Sequence, residues 1–496
     1  AGTHRTSRVV WAVTIAAGVV GVAAAVYYGR QDLTLSHYDA RGHLVVARRV
    51  IDSLTPGWRQ IGGVWLPLPH VLNALPVQLD SSYRTGWSGV LLSIAFLTLG
   101  LRALAGYLMR STASWTIAIA MPLVILLNPN VLYLQSTPMT EAQLFGLSLM
   151  SVAAIDRWVF HDDPGQRFRA GGLLAALTLT RYEGWFIVAA LVVVAAICSG
   201  RRALRLAAYP AIAALLFFFM SYASTGSWLV TSGFYEPNNP ALGNPWLALD
   251  QVLEGARRLG GSWLLWLGAA GALSAIGTAL LTRPDASVAK RLDFARALVP
   301  LCLAAAAALP LYAFSSGHPI RIRYMTPLVI AAAVTAAFAL ARLPRRLHPA
   351  GAALCVGVAV WVTPPLDKTA PMVTEAQRER PSSDARRAVT AALVAQWDGT
   401  PIMASMGSLG HYMQQLSAQG FAIKDFLHEG NGDIWATALW GPGRFVKWIL
   451  IEESAEGGDA LANQARVNPS FLDGFTRTAA SGGVALYVRT EPGNRE

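Results

Sequence analysis

The run "VVWAVTIAAGVVGVAAAVYY" (residues 9–28) is followed within a few residues by "LSHYDARGHLVVARRVIDSLTPG" (residues 35–57). About 20 consecutive apolar residues are enough for a helix to cross the hydrocarbon core of a membrane. The run is long for the apolar part of a signal peptide and lacks a convincing cleavage site, so it predicts a retained first span. The second stretch then places acids, histidines and arginines just beyond the membrane.

The composition of the whole chain indicates the same class of protein. Of its 496 residues, 54% are hydrophobic and only 14% are charged, with a mean hydropathy of +0.40. Soluble proteins are nearer a quarter charged, so we predict a polytopic membrane protein. The net charge of +11 does not point to nucleic acid, because the basic residues lie beside apolar runs, where they set topology. The three cysteines lie in or at the edge of such runs and indicate no disulfide framework.

Apolar runs recur along the first three quarters of the chain and predict about eleven transmembrane helices. They lie near residues 9–28, 88–108, 115–133, 140–156, 170–180, 184–198, 206–223, 263–281, 296–314, 324–341 and 350–363. Basic residues flank alternate ends, which places the N-terminus in the cytoplasm and the C-terminal segment outside. Residues 170–198 are read as two helices with "TRYEG" at an outer turn, because a single helix would carry two charges into mid-membrane.

The predicted domains follow from this topology. Residues 1–363 form the transmembrane domain, including a first outer loop at 29–87 whose apolar residues from Asp39 to Leu54 keep the spacing of an amphipathic helix at the interface. A polar, Pro-rich linker spans 364–384. Residues 385–496 alternate strand-like runs ("PIMASMG", "FVKWILIEE", "GVALYVR") with helical patterns, which predicts an extracytoplasmic α/β domain.

Ionisable residues gather in the outer segments. Asp39 is the candidate general base, with helix N-capping as the alternative interpretation. The first-loop arginines 41, 48, 49 and 59 lie where topology does not require positive charge, so binding a phosphate is their best explanation. The alternative is an anchoring helix whose charges are paired, for example Arg48 with Asp52.

Three shorter outer segments contribute further candidates. Glu141 opens the span after "STPMT", where an acid in the first helical turn is also favoured by the helix dipole. Arg181 and Glu183 lie at the outer turn and could simply hold it together. The remaining candidates are His318, Arg321, Arg323 and Tyr324 before the tenth span, and His43 and His70 in the first loop. His70 could equally be a satisfied buried histidine. The sequence contains no P-loop, no convincing dinucleotide-binding loop and no zinc signature.

These segments resemble a known superfamily, the integral-membrane glycosyltransferases of the GT-C fold. "SHYDARGHL" occupies the position of an acid in the first outer loop, and "STPMTE" matches the acid-bearing second loop. "LTRYEGW" and "IRYMTPLV" resemble segments of members related to protein O-mannosyltransferases and aminoarabinose transferases. The first loop holds a single acid where the family often has an adjacent pair, which weakens any inference about a bound divalent metal, Mg²⁺ or Mn²⁺.

The resemblance implies an enzyme of the bacterial cytoplasmic (inner) membrane and cell envelope with a periplasmic C-terminal domain. It would transfer a sugar from a polyprenyl-phosphate donor to a hydroxyl of a lipid, glycan or protein, with inversion. Asp39 would act as base, Glu141 would orient the acceptor or hold a metal, and cations would bind the donor phosphate: Arg321, Arg323, His318, Arg181, Arg48 and Arg49. His43, His70, Glu183 and Tyr324 complete the candidates. The alternative from another class is a transporter or flippase for an anionic lipid or lipid-linked sugar; a scaffold that displays the C-terminal domain is a third.

Overall fold

The computed structural model describes residues 2–160, 164–230, 235–236, 238–281, 297–378, 380–454 and 458–490. The chain divides into two compact units. The first, here called the helical unit, comprises Ala1–Gln31, Val90–Phe217 and Glu236–Thr374. The second, the sheet unit, comprises Asp32–Gly89, Phe218–Tyr235 and Glu375–Glu496. The first outer loop therefore belongs to the same compact unit as the C-terminal sheet.

Long apolar helices build the helical unit. In chain order they are α1 (Gly2–Gly29), α5 (Trp87–Thr112), α6 (Trp115–Leu126), α7 (Pro129–Gln135), α8 (Glu141–Phe160), α9 (Pro164–Thr178), α10 (Tyr182–Ser199), α11 (Arg202–Thr225), α12 (Pro245–Gly260), α13 (Ser262–Leu281), α14 (Ala308–Ser315), α15 (Thr326–Leu340) and α16 (His348–Val362). A 3₁₀ segment, Val299–Ala307, runs directly into α14, and another, Ile322–Met325, precedes α15. Most apolar runs predicted from the sequence lie on single helices. The run 115–133 covers two, and the described part of the run 296–314 is a 3₁₀ segment followed by α14.

Membrane crossing follows from length and hydropathy. Among the described residues six helices are long and apolar enough to span a membrane, and a seventh span results if α6 and α7, which meet at a 70° bend, count together. Pro129 opens α7, and its fixed backbone cannot continue the preceding helix through this point. The multi-pass architecture is thus confirmed, whereas the figure of about eleven spans stays a prediction.

The segment 170–198 is broken, as the hairpin hypothesis requires. Helix α9 ends at Thr178 and α10 begins at Tyr182, and the two helices pack against each other. The Trp185 indole N–H donates to the Thr178 carbonyl across the break (2.8 Å). This bond satisfies one of the carbonyls that a helix end leaves without an intrahelical partner.

Small residues let the helices approach closely. A Cβ at Gly146 of α8 would lie 2.1 Å from the backbone oxygen of Phe96, and one at Gly100 would lie 2.5 Å from the Cα of Gly146. A Cβ at Gly271 of α13 would likewise lie 1.9 Å from the oxygen of Thr335 on α15. Membrane helices commonly associate through such small residues, because lipid supplies little hydrophobic drive for helix pairing.

The sheet unit contains short helices and a five-stranded sheet. Its helices are α2 (Tyr38–Arg48), α3 (Leu68–Asn73), α4 (Asp80–Thr85), α17 (Pro371–Ala376), which begins at the end of the helical unit, α18 (Arg380–Ala385), α19 (Arg387–Gln396), α20 (Met406–Leu416), α21 (Asp433–Ala438) and α22 (Ala460–Val467). Its strands are β1 (Ile402–Ala404), β2 (Phe426–Leu427), β3 (Trp448–Glu452), β4 (Phe475–Ser481) and β5 (Val484–Arg489). The strand order is β2-β1-β3-β5-β4, with β1 parallel to β2 and β3, and β5 antiparallel to β3 and β4.

Both faces of this sheet are covered by apolar side chains. Along β3, Trp448 and Leu450 belong to one core, while Ile449 and Ile451 belong to another on the opposite face. Alternation with a period of two puts successive side chains on opposite faces of a strand. The predicted C-terminal α/β fold is confirmed, with β2 and β4 as strands that the sequence patterns did not indicate.

Helix α2 differs from its prediction in length and in surroundings. It ends at Arg48, whereas the apolar spacing predicted a helix that continued to Leu54. Its residues Leu44 and Val45 are fully buried in the core beside β1 and β3. The apolar face of α2 therefore packs against protein, whereas Ile51 and Leu54 beyond its end are exposed. The location at the membrane surface stays a prediction. The predicted linker 364–384 likewise contains the short helix α17 and most of α18.

Candidate functional site

Four predicted residues from three separate segments meet in the helical unit. Arg181 caps the start of α10 in extended backbone, which turns its side chain between two glutamates. Its Nη1 lies 3.0 Å from Glu141 Oε1, and its Nη2 lies 2.9 Å from Glu183 Oε1. Its Nη1 also donates to the Thr140 hydroxyl at 3.0 Å. Arg323 approaches Glu141 from the start of α15, with Nε 3.7 Å from Oε1. We call Glu141, Arg181, Glu183 and Arg323 the arginine cluster.

The arginine cluster is almost withdrawn from solvent. The Glu141 and Glu183 side chains are 1% and 3% exposed, and those of Arg323 and Arg181 are 7% and 13% exposed. Charges at such depth are costly unless they are paired, and two arginines against two glutamates give a formal charge of zero. Ion pairs at the ends of membrane helices mark functional sites by default, and they also stabilise the turns that they join.

The other cations before α15 lie beside this cluster in sequence. His318 is half-buried, its Nδ1 lies 2.7 Å from the Pro319 carbonyl, and its ring contacts Tyr324 (5.6 Å between centroids). The Arg323 guanidinium also lies over the Tyr324 ring at 5.5 Å. Arg321 precedes the 3₁₀ turn that carries Arg323 and is half-buried. In this segment Arg323 is held by Glu141 and an aromatic ring, and His318 by a carbonyl and the same ring.

Asp39 lies in the sheet unit, in the first turn of α2, with 8% of its surface exposed. The N-cap of this helix is His37, whose Nδ1 accepts a hydrogen bond from the Asp39 backbone N–H (3.1 Å). His37 Nε2 in turn lies 3.5 Å from Glu375 Oε1. The alternative that Asp39 itself caps the helix is therefore wrong, and Asp39 is instead the acid of the first helical turn.

Arg48 and Arg49 have partners within the sheet unit. Arg48 pairs with Asp52 (2.7 Å) and Asp80 (2.7 Å) and donates to the Val77 carbonyl. Arg49 donates to the carbonyls of residues 60 and 61. All three nitrogens of Arg48 are used and two acids neutralise it, which favours the anchoring alternative for this residue. The predicted phosphate contacts of these two arginines stay a prediction.

His43 and His70 form a stacked group with Trp65. His70 Nδ1 donates to the Leu66 carbonyl (3.0 Å), so its Nε2 accepts from His43 Nδ1 at 3.0 Å. The Trp65 ring lies 4.1 Å from the His43 ring centroid. Burial, followed by the charge of Arg49, lowers the pKa of His70 to about 3 despite the bond to Leu66. His70 is therefore a neutral, satisfied core histidine, which was the alternative interpretation of this residue.

Acidification is expected to destabilise the protein between about pH 6.5 and pH 3. Burial also lowers the pKa of His411 to about 3. In this range both histidines are protonated in the unfolded chain but stay neutral in the folded protein. The free energy of unfolding therefore falls as pH falls, by up to about 1.4 kcal/mol per pH unit for each histidine. Thermal melting of the purified protein at pH 7.5 and pH 5 measures this.

The matched variant for this prediction is His70→Gln. Its pH dependence should be flatter than that of the natural protein, because the group that must stay unprotonated is gone. An equal loss of melting temperature on acidification in both proteins would contradict the assignment to His70.

One buried pair was not predicted from the sequence. Arg386 donates to Glu452 at 2.5 Å, and both side chains are about as buried as the arginine cluster (5% and 4% exposed). Glu452 ends the apolar strand β3, on the same face as Trp448 and Leu450. This position was the sequence feature that could have indicated a buried acid. Arg386 lies in a polar segment with no periodicity, so nothing local distinguished it.

No group of three or more histidine, cysteine, aspartate or glutamate side chains placed to hold a metal ion occurs in the part of the chain that the structure describes. A role of Glu141 as a metal ligand therefore rests on the family resemblance alone. In the structure its neighbours are the two cations of the arginine cluster.

Comparison with known proteins defines the fold. No family model matches the sequence, and no curated protein matches it by sequence. Two solved structures match over nearly the whole chain: ArnT from Cupriavidus metallidurans bound to undecaprenyl phosphate (TM-score 0.57, 13% identity, 96% of this chain and 98% of that one) and the same protein in the apo state (TM-score 0.59, 14% identity, 95% and 97%). The chain is thus a multi-pass membrane protein with the fold of these ArnT structures. The predicted class, a polytopic helical membrane protein with a C-terminal α/β domain, is confirmed.

Proposed function

We propose that this protein is an inverting membrane glycosyltransferase that moves a sugar from a polyprenyl-phosphate donor to an acceptor hydroxyl on the outer face of the membrane. The observation that carries the proposal is the arginine cluster, in which two guanidinium groups are held by two buried glutamates at the ends of helices of a GT-C fold. A solved structure with this fold has undecaprenyl phosphate bound. A lipid-linked donor requires an apolar groove and fixed cations, which such a unit can supply.

The proposed chemistry divides between a base and a set of cations. Asp39 takes the proton of the acceptor hydroxyl as its oxygen attacks the anomeric carbon from the face opposite the phosphate. The bond from the anomeric carbon to the phosphate oxygen breaks, and its electron pair leaves with the polyprenyl phosphate. Arg181 and Arg323, with Arg321 and His318 beside them in sequence, stabilise the charge that develops on this leaving group.

The glutamates of the cluster act as positioning residues in this scheme. Glu141 lies between both arginines, and Glu183 accepts from Arg181 through both oxygens at 2.9–3.2 Å. A guanidinium group whose orientation is already set loses less entropy on binding a phosphate. Preorganised charge is also the form in which electrostatic stabilisation is most effective, because it needs no rearrangement during the reaction.

The test is to incubate the purified full-length protein with a panel of polyprenyl-phosphate sugars and a crude acceptor fraction. The expected result is release of free polyprenyl phosphate together with loss of the sugar-linked lipid, both followed by mass spectrometry. If the protein instead moves intact lipid-linked sugar across a reconstituted vesicle with no released phosphate, the flippase alternative replaces the proposal.

A further inference from the structure

Arg41 of the first loop has no carboxylate partner among the described residues, and its guanidinium group uses few of its donors. It is half-buried in the first turns of α2, two residues after Asp39. Its one hydrogen bond there runs from Nη1 to the Ser383 hydroxyl at a long 3.4 Å. Its Nε is buried without a partner in the described part of the chain. Buried guanidinium groups are normally paired, so this arrangement is costly for the unliganded protein.

A second arginine increases that cost. Burial, and then the positive charge of Arg386, lowers the pKa of Arg41 to about 10. Arg386 has its own partners: Nη2 donates to Glu452, Nε to the Gly482 carbonyl (3.0 Å) and Nη1 to His411 Nε2. Glu452 is therefore already engaged and does not compensate Arg41. His411 accepts through Nε2 and is neutral, so it adds no positive charge of its own.

The groups around Arg41 are suited to bind a ligand through hydrogen bonds. Ser383 accepts from Arg41 and also from Gln415 Nε2 (2.7 Å). Because the Ser383 oxygen accepts both of these bonds, its own hydrogen is left to donate to a ligand. Tyr38 and Arg41 lie on α2, and His411 and Gln415 lie on α20. The rings of Tyr38 and His411 lie 6.4 Å apart. A cation with open donor positions and a serine hydroxyl that can donate thus occur together in the sheet unit.

We propose that Arg41 and Ser383, the latter oriented by Gln415, bind an anionic group, a phosphate or a carboxylate, carried by the acceptor. A planar guanidinium fork is the protein group best matched to either oxyanion. The anion would provide the counter-charge that Arg41 lacks. Asp39 lies on the same helix, and the charges of both Arg41 and Asp39 act on His411. An acceptor anchored at Arg41 is therefore held in the neighbourhood of the proposed base. The identification of the ligand as the acceptor rests on the proposed function, whereas the anion site does not.

The first experiment measures anion binding without turnover. Thermal melting of the purified full-length protein is recorded in chloride, inorganic phosphate and acetate at equal ionic strength, for the natural protein and for Arg41→Gln. Phosphate or acetate should raise the melting temperature of the natural protein, and Arg41→Gln should weaken the apparent affinity on the order of tenfold or more, since a charged hydrogen bond is lost. Arg41→Lys keeps the positive charge but not the planar guanidinium group, and it should restore part of the affinity for the anion.

Two control variants test whether the anion response is specific to Arg41. Arg84→Gln removes an exposed arginine of the same unit that pairs with Asp80, and it should leave the anion response unchanged. A variant with both Arg181→Gln and Glu183→Gln alters the arginine cluster and should retain the part of the response that depends on Arg41. If the anion response of Arg41→Gln equals that of the natural protein, the site does not exist. This holds even if the variant has a different melting temperature in the absence of the anion.

The second experiment separates this inference from the proposed function. With an active donor and acceptor, Arg41→Gln should raise the KM for the acceptor and leave the KM for the donor unchanged. If the protein transfers no sugar but still shows the Arg41-dependent anion response, the proposed glycosyltransferase activity is refuted and the anion site stands. Transfer with an unchanged acceptor KM in Arg41→Gln would refute the assignment of the acceptor to this site and keep the enzyme.

Discussion

Replacing Asp39 by asparagine is expected to lower the rate of sugar transfer by about 10²–10⁴-fold, the usual contribution of a general base. The amide keeps the size of the side chain and its place in the first turn of α2, where His37 provides the cap. It cannot accept the proton of the acceptor hydroxyl. Fold and donor binding should therefore survive, and the released polyprenyl phosphate measured per unit of folded protein should fall.

The matched control for this variant is Asp433→Asn. Asp433 is also an acid in the first turn of a helix of the sheet unit, but it is exposed. The substitution removes the same favourable interaction with the helix dipole, about 0.3–1 kcal/mol, with no effect expected on transfer. Full activity of Asp39→Asn, or an equal loss in both variants, would disprove the assignment of the base.

Arg181→Gln is expected to have the second large effect, because it leaves two buried glutamates without their shared cation. Removing one partner of a buried ion pair typically costs about 3–5 kcal/mol. The variant should melt at a lower temperature and express poorly. A loss of transfer in this protein alone would not separate a role in stability from a role in stabilising the leaving group.

A second substitution separates the two roles. Arg181→Gln combined with Glu183→Gln removes one positive and one negative charge, so the cluster keeps its formal charge of zero and most of the stability should return. If Arg181 stabilises the leaving phosphate, transfer stays low in this folded variant, and binding of polyprenyl phosphate weakens. If transfer recovers together with stability, Arg181 has a structural role only and does not stabilise the leaving group.

Arg110→Gln is the control for breaking a buried pair elsewhere in the helical unit. Arg110 donates to Asp156 at 2.8 Å, and the Asp156 side chain is 1% exposed. This variant should lose stability in the same way as Arg181→Gln. Transfer per folded molecule should be unchanged, because this pair lies outside the arginine cluster.

Local patterns were enough to predict the elements of this fold. Apolar runs of membrane length produce helices because every backbone group must find its partner inside the membrane. Thr178 and Tyr182 could be predicted to flank a helix break, since one continuous helix would have carried Arg181 and Glu183 into the apolar core. Strand-like apolar runs likewise identified β1, β3 and β5. The strands β2, with two residues, and β4, with an exposed pattern, lack that signal.

The relations among charged residues could not be predicted in this way. Arg41 and Arg48 occur in one short run of the first loop, yet two acids neutralise Arg48 while Arg41 has a single long bond to a serine among the described residues. The sequence places Asp52 four residues after Arg48 as a possible partner, but it shows neither the second acid of Arg48 nor the serine beside Arg41. The difference depends on Asp80 and Ser383, which only the packing of α2 in the sheet unit brings to the two arginines.

The composition and periodicity of this chain therefore specify a membrane protein of many helices with an α/β unit, because burial of apolar surface is a property of each segment. Which acid meets which arginine is a property of contacts between segments far apart in the chain. Glu141, Arg181 and Arg323 become one cluster only when three helix ends converge. Coulomb energy depends on distance and on exclusion of water, and the folded structure sets both.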